Sequence, residues 1–254
     1  MARKRHTLAD EPFMIMRSLA SNHAAGARTG RHAHDWHQLI YASSGVLTVW
    51  TERGSWITPP QRAIWVPAGV AHDIRFASAS ALRTLYLRPD ASGPLPGHCT
   101  LVTVSPLLRE LILRATRDGM LDRRETADAA LAALILDEFR QSGAPPFDLP
   151  QPASERIARV AALIAEGGMQ GTDALARASG MSKRALERRF RAETGMSPGG
   201  WRRQRALLQA VEGLAGGAPI KIVAAASGYA TPSAFVAAFR RQFGVTPGRY
   251  FEPA

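Results

Sequence analysis

Three imidazoles and one amide carry the first recognisable chemistry in this 254-residue chain. His32, His34 and Gln38 are all even-numbered along one segment, and the two-residue period of extended backbone turns them to a single face. His37 then faces the other way. His72 follows a sharp turn at Pro67-Ala68-Gly69 and can be brought opposite the trio if the intervening strands close on themselves. Such donors suit a divalent ion, Zn, Ni, Fe, Cu or Mn, and residue type alone does not choose among these. The same groups can instead orient a small molecule in a pocket. A histidine pair on one strand also occurs at a rim or in a core with no ligand.

A second group of residues carries a different chemistry. Ser182 stands as an N-cap before Lys183, Arg184, Glu187 and Arg188, which project away from Leu186 and Phe190 on the helix it starts. Arginine can bond guanine O6 and N7 together, and glutamate can accept from cytosine N4. An exposed basic helix can also touch phosphates only. Further on, Thr231-Pro232 opens another helix whose outward positions, Ser233 and Ala237, are small. That helix is expected to anchor phosphates through its capped N-terminus, Thr231 and Arg240, with little base discrimination.

The elements that must hold these helices are themselves repeated. Ala224 and Gly228 stand four apart, Thr231 caps, Phe235 and Phe239 form an apolar face, Arg240 and Arg241 close the last turn, and Gly244 stops it. Thr246-Pro247 then caps a short final helix. Upstream, Leu175-Ala176, Gly180, Met181-Ser182, Leu186 and Phe190 repeat that order, with Gly180 and Gly228 separated by 48 residues. Two helices joined by a glycine turn form a helix-turn-helix, whose second helix enters the major groove. Between the copies, Ser197-Pro198 caps a helix running through Trp201, Leu207, Leu208 and Val211 to about Ala215. It spans roughly 28 Å, comparable with the ~34 Å between successive major-groove faces. Ala176, Ala224 and Ala226 are expected to let helices approach closely.

Charge agrees with a polyanionic partner. The net charge is +11, and residues from Gln151 onward hold 15 Lys/Arg against 7 Asp/Glu, while the first 150 hold 17 against 14. A basic domain fits DNA, RNA or an anionic membrane, and the helix pattern selects duplex DNA. Cys99 is the only cysteine, which excludes an internal disulfide framework and a cysteine-based zinc site and suits a reducing compartment, the cytoplasm. The opening MARKRHTLADEPF has no apolar run behind its basic residues, and no stretch approaches 18 apolar residues, so neither secretion nor a membrane span is expected. Arg3-Lys4-Arg5 is read as a solvated tail that can touch phosphates.

From about Phe13 to Leu87 short β-branched and aromatic runs alternate with turns: 38–41, 46–50, 56–58, 63–66, 73–76 and 82–87. That spacing reads as an antiparallel sandwich or barrel, with Glu52-Arg53-Gly54 as a hairpin tip and Trp36, Tyr41, Trp50, Trp56 and Trp65 as core or wall. Helical periodicity returns at Leu107, Leu108, Leu111 and Ile112 and again over 130–139, before a Pro-rich linker at 142–152. The helical segment 105–140 is the candidate homodimer interface, its apolar stripe exceeding what a barrel edge needs. The domains expected are a barrel at 1–100, a helical dimerisation segment and linker at 101–150, and a DNA-binding domain at 151–254.

Two resemblances sharpen these expectations. LARASGMSKRALERRFRAETGMSPGGW and GYATPSAFVAAFRRQFGVTPGRY resemble the AraC/XylS family of bacterial transcription regulators over about Ser154 to Tyr250. That resemblance implies seven helices, two helix-turn-helix units on a shared linker helix, and base reading at Arg184, Glu187 and Arg188. The spacing Gly26, His32-x-His34, Gln38, Gly45, then Pro67-x-Gly69-x-x-His72 resembles the cupin pattern, which implies metal ligation by His32, His34, Gln38 and His72. Gln38 departs from the glutamate of the fullest pattern, and Gln61 from the glycine of the second motif. The fold expected is α+β in two domains: a cupin-like antiparallel β-barrel with trailing helices, then an all-α double helix-turn-helix. The function expected is a sequence-specific regulator, not an enzyme, binding double-stranded DNA and responding to a small-molecule or metal effector. The alternative is a metal-dependent cupin enzyme of oxidation or isomerisation fused to a DNA-binding module.

Overall fold

The structure, a computed structural model, describes residues 12–90, 93, 95–142, 148–166 and 171–251. The basic run at Arg3-Lys4-Arg5 lies outside the described residues. These fall into two compact units, one within 1–49, 58–146 and 248–254 and the other within 50–57 and 147–247, so neither is the single continuous stretch expected from sequence.

In the N-terminal half the strands are β1 (Met14–His23), β2 (His37–Ser44), β3 (Leu47–Thr51), β4 (Gly54–Thr58), β5 (Arg62–Val66), β6 (His72–Phe76), β7 (Ser80–Leu87), β8 (Thr100–Thr103), β9 (Met120–Asp122) and β10 (Asp148–Pro150). They form a six-stranded sheet ordered β8-β5-β2-β7-β1-β9 and a four-stranded sheet ordered β10-β4-β3-β6. The expected cupin-like antiparallel architecture is present. Four strands go beyond the expected runs: β1, the longest, which pairs antiparallel with both β7 and β9; β8 just before the segment expected to be helical; β9 within it; and β10 within the segment expected to be linker. β10 pairs with β4, and the Pro150 carbonyl accepts a hydrogen bond from the Trp201 indole at 2.9 Å.

Alternation along the six-stranded sheet divides its residues between two cores. Leu39, Tyr41, Ala63, Trp65, Leu85 and Leu87 bury one face against α1 (Pro106–Asp118) and α2 (Thr126–Gln141). Gln38, Ile40, Ile64, Val66 and Thr84 are buried on the other. Trp65 is fully buried, its ring 4.9 Å from Phe139 of α2. Truncating it to alanine would cost about 3–5 kcal/mol. Ser105 caps α1 by accepting from Leu108 N at 3.0 Å, and Leu108, Ile112 and Ala115 sink into the same core. The stripe read as a dimer surface is thus covered by the protein's own sheet, while Leu107 at 52% and Leu134 at 50% stay exposed. Trp50, expected in a wall, is 44% exposed.

The helical half contains α3 (Glu155–Ala165), α4 (Thr172–Ala178), α5 (Lys183–Thr194), α6 (Pro198–Ala215), α7 (Ile220–Ala226) and α8 (Pro232–Phe243). The final helix expected after Thr246-Pro247 is a single 3₁₀ turn, Arg249–Phe251. The sequence repeat is reproduced hydrogen bond by hydrogen bond. Ser179 N donates to Leu175 O and Ser227 N to Val223 O, while Met181 N donates to Ala176 O and Tyr229 N to Ala224 O, both at 3.0 Å. Gly180 and Gly228 make these turns at φ +63° and +79°, where a side chain on an L-residue is strained. Ala176 and Ala224 are buried as expected, but Ala226 is exposed, because the last turn of the seven-residue α7 rotates it away from its neighbours.

Candidate functional sites: an imidazole cluster and a nucleic-acid interface

His32 and His72 face each other across an isolated antiparallel bridge, each backbone N–H donating to the other's carbonyl at 2.9 Å. His34 joins them from the turn before β2. The ring centroids of His32 and His34 lie 4.4 and 5.2 Å from that of His72, and the three residues each offer a ligand atom within 4.8 Å of the others. Gln38, 1% exposed, completes the group from within β2.

Each ring is oriented by a backbone carbonyl. His32 Nδ1 donates to Gly30 O at 2.9 Å, His34 Nδ1 to Trp36 O at 2.7 Å, and His72 Nδ1 to Val70 O at 2.9 Å. A carbonyl oxygen can only accept, so each Nδ1 carries a proton and Nε2 is the ring atom left to face the cluster. Burial lowers the His72 pKa from 6.5 to about 4, which keeps that ring neutral. Its Nε2 is buried and has no hydrogen-bond partner among the described residues.

The amide is oriented as firmly. Thr84 Oγ1 donates its one proton to Leu39 O at 3.0 Å and therefore accepts from Gln38 Nε2 at 2.9 Å. Gln38 Oε1 is thereby turned toward His34 Nε2, 2.9 Å away. Two acceptors at hydrogen-bond distance repel unless a cation or an added proton lies between them.

His37 faces away as its parity requires. Its Nδ1 accepts from Ala68 N at 2.9 Å, its ring lies 4.9 Å from Trp65, and burial lowers its pKa. Gln61 stands at a turn that needs no glycine, since no non-glycine residue described has positive φ. Tyr86 was not foreseen. Its ring stands edge-on to His34 at 5.2 Å, and burial pushes its phenol pKa up. It reaches the cluster because β7 pairs Tyr86 with Gln38, a register that no local motif announces.

On α5, Ser182 accepts from Ala185 N at 3.3 Å, Leu186 and Phe190 are buried, and Lys183, Arg184, Glu187 and Arg188 are exposed. Arg184, Glu187 and Arg188 continue to exposed Arg191 at i, i+3, i+4 and i+7, one stripe of long polar side chains; Arg191 had been overlooked. Lys183 Nζ is held 3.1 Å from Asp173 of α4. On α8, Thr231 accepts from Ala234 N at 3.2 Å, and Ser233, Ala237 and Arg240 form the exposed stripe over buried Phe235 and Phe239. Only Arg240 of these three is long. α6 between the two units has 18 residues, about 27 Å of rise, and buries Trp201, Leu207, Leu208 and Val211.

Residues 15–154 match the family described as an AraC-like ligand binding domain, and residues 175–252 match a helix-turn-helix domain. The chain belongs to the AraC family. It is 35% identical over 222 residues, 86% of this chain and 81% of the relative, to the HTH-type transcriptional regulator NimR of Escherichia coli K12. The regulatory protein SoxS of the same strain is 43% identical over 79 residues, 31% of this chain and 74% of SoxS. Among solved structures, the DNA-binding domain of AdpA in complex with a target DNA is 34% identical, covering 38% of this chain and 90% of that domain with a TM-score of 0.36. This AraC-family member is thus a DNA-binding transcription regulator with a ligand-binding domain, and its partner is double-stranded DNA. Among the described residues no helix is long and apolar enough to cross a membrane.

Proposed function

We propose that this regulator reads a defined duplex sequence mainly through α5, with Arg184, Glu187 and Arg188 at the bases. α8 anchors phosphates through its capped N-terminus, Thr231 and Arg240. The switch is an effector at His32, His34, Gln38 and His72: a divalent ion of the group Zn, Ni, Fe, Cu and Mn, or a small molecule at the same place. The regulator acts in the cytoplasm, without enzymatic activity, as a homodimer joined through the part of the 105–140 segment that its own sheet leaves uncovered, where Leu107 and Leu134 are exposed.

The opposed acceptors His34 Nε2 and Gln38 Oε1 carry the effector assignment. Together with the orphaned Nε2 of buried His72, they fit a cation. A bound metal would supply the positive charge these lone pairs lack. His72 and Gln38 are buried while His32 and His34 are half-exposed, so the cluster has a closed floor and an open side. Occupancy would hold β6, the start of β2 and the segment around His32 in one arrangement. A switch of this kind requires the occupied and empty forms to differ in DNA affinity, and a coupling of about 1–3 kcal/mol corresponds to roughly 5–150-fold.

Metal analysis of the purified protein, paired with selection of oligonucleotides in chelator and in one equivalent of each metal, tests this function. One bound ion per chain and at least a fivefold change in affinity for the selected sequence are expected. A protein that takes up none of the five metals and selects no sequence would overturn it.

A further inference from the structure

We infer that the effector is a small oxyanion that binds as a ligand to the metal, so that ion and small molecule act together and are not alternatives. This rests on the reading of the histidine cluster as a metal site. All four donors are neutral: three imidazole Nε2 atoms, each fixed by a carbonyl on its Nδ1, and one amide oxygen. A dication held by them keeps its full +2 charge while its floor, His72 and Gln38, is almost entirely removed from water, each being 1% exposed. Holding an uncompensated charge in such a place is costly, and a neutral set of ligands does nothing to offset it.

Among the described residues no carboxylate joins the three histidines to supply the missing charge. The acid felt by His72 is Asp73, and it is already engaged by Arg28 Nη2 at 3.0 Å and Thr29 Oγ1 at 3.4 Å. Arg75 is exposed on the face of β6 opposite His72, where its bridge partner is Arg28. A donor set without charge leaves a bound dication to be balanced by a ligand from outside the chain, and an anion meets that need. The open side at His32 and His34 is where an oxyanion would complete the coordination, next to the ring of Tyr86.

The test uses the full chain loaded with Co(II), whose visible bands report its ligands, and pyruvate, inorganic phosphate and neutral propane-1,2-diol as probes. Pyruvate or phosphate should shift the cobalt bands and bind at least tenfold more tightly to the loaded protein than to the metal-free one, while the diol does neither. Gln38→Glu, which places one negative charge in the donor set, should retain cobalt and weaken the anion at least tenfold. Cobalt uptake with bands indifferent to both anions, or equal anion binding with and without cobalt, would overturn this inference alone. Absence of any cobalt uptake would overturn the metal site and the inference with it.

Discussion

His34 Nε2 lies 2.9 Å from Gln38 Oε1, a contact that calls for a proton or a cation at the imidazole nitrogen. It follows from two hydrogen-bond chains that meet: Trp36 O holds the His34 proton on Nδ1, and Leu39 O, through Thr84, holds the amide the other way round.

Removing either end of the cluster should empty it. His34→Ala and His72→Ala are each expected to reduce metal content from one equivalent per chain to less than a tenth, as read by elemental analysis after dialysis. His37→Ala, on the opposite face, should keep the full equivalent.

The metal-free protein should lose stability in mild acid. His72 has its pKa lowered from 6.5 to about 4 by burial, so between these values the unfolded chain binds more protons than the folded one. Stability from this residue is complete above 6.5 and is lost as pH falls toward 4. The loss between pH 7 and pH 5 should be about 2 kcal/mol. Denaturant midpoints of the apo protein measure it, and a His72→Asn variant should lack that part of the slope.

Arginines of the two recognition helices should respond differently. Arg188→Ala should cost about 1–3 kcal/mol on the selected site, relax one base position, and leave random DNA largely unaffected. Arg240→Ala should weaken all duplexes alike and reduce the salt slope by about 1. Titrations across several salt concentrations separate the two, and an equal loss on random DNA for Arg188→Ala would remove it from base reading.

The turn glycines should be irreplaceable for backbone reasons. Gly180→Ala and Gly228→Ala place an L-residue at φ +63° and +79°, although no atom lies within 4 Å of the added carbon in either case. Each should destabilise the helical half by about 1–2 kcal/mol. Asparagine at the same positions should recover part of the loss in a melting experiment.

The helix-turn-helix units could be read before any coordinates, because their signals are local. Ser182 and Thr231 cap within three residues, Gly180 and Gly228 terminate within five, and Phe190 and Phe239 mark the buried side by helical period. The face shared by His32, His34 and Gln38 was equally legible, since strand parity belongs to the chain itself. Strand pairing does not. β1 became visible only once β7 and β9 lay on either side of it, and β10 only as the partner of β4. Tyr86 meets His34 through the register between β7 and β2, and the Leu108, Ile112 and Ala115 stripe proved to be core because a sheet from elsewhere in the chain covers it. Residue types and their periods decided which groups this protein brings to its chemistry. Only the closure of distant strands decided that four of them meet, because that depends on contacts that no stretch of sequence contains by itself.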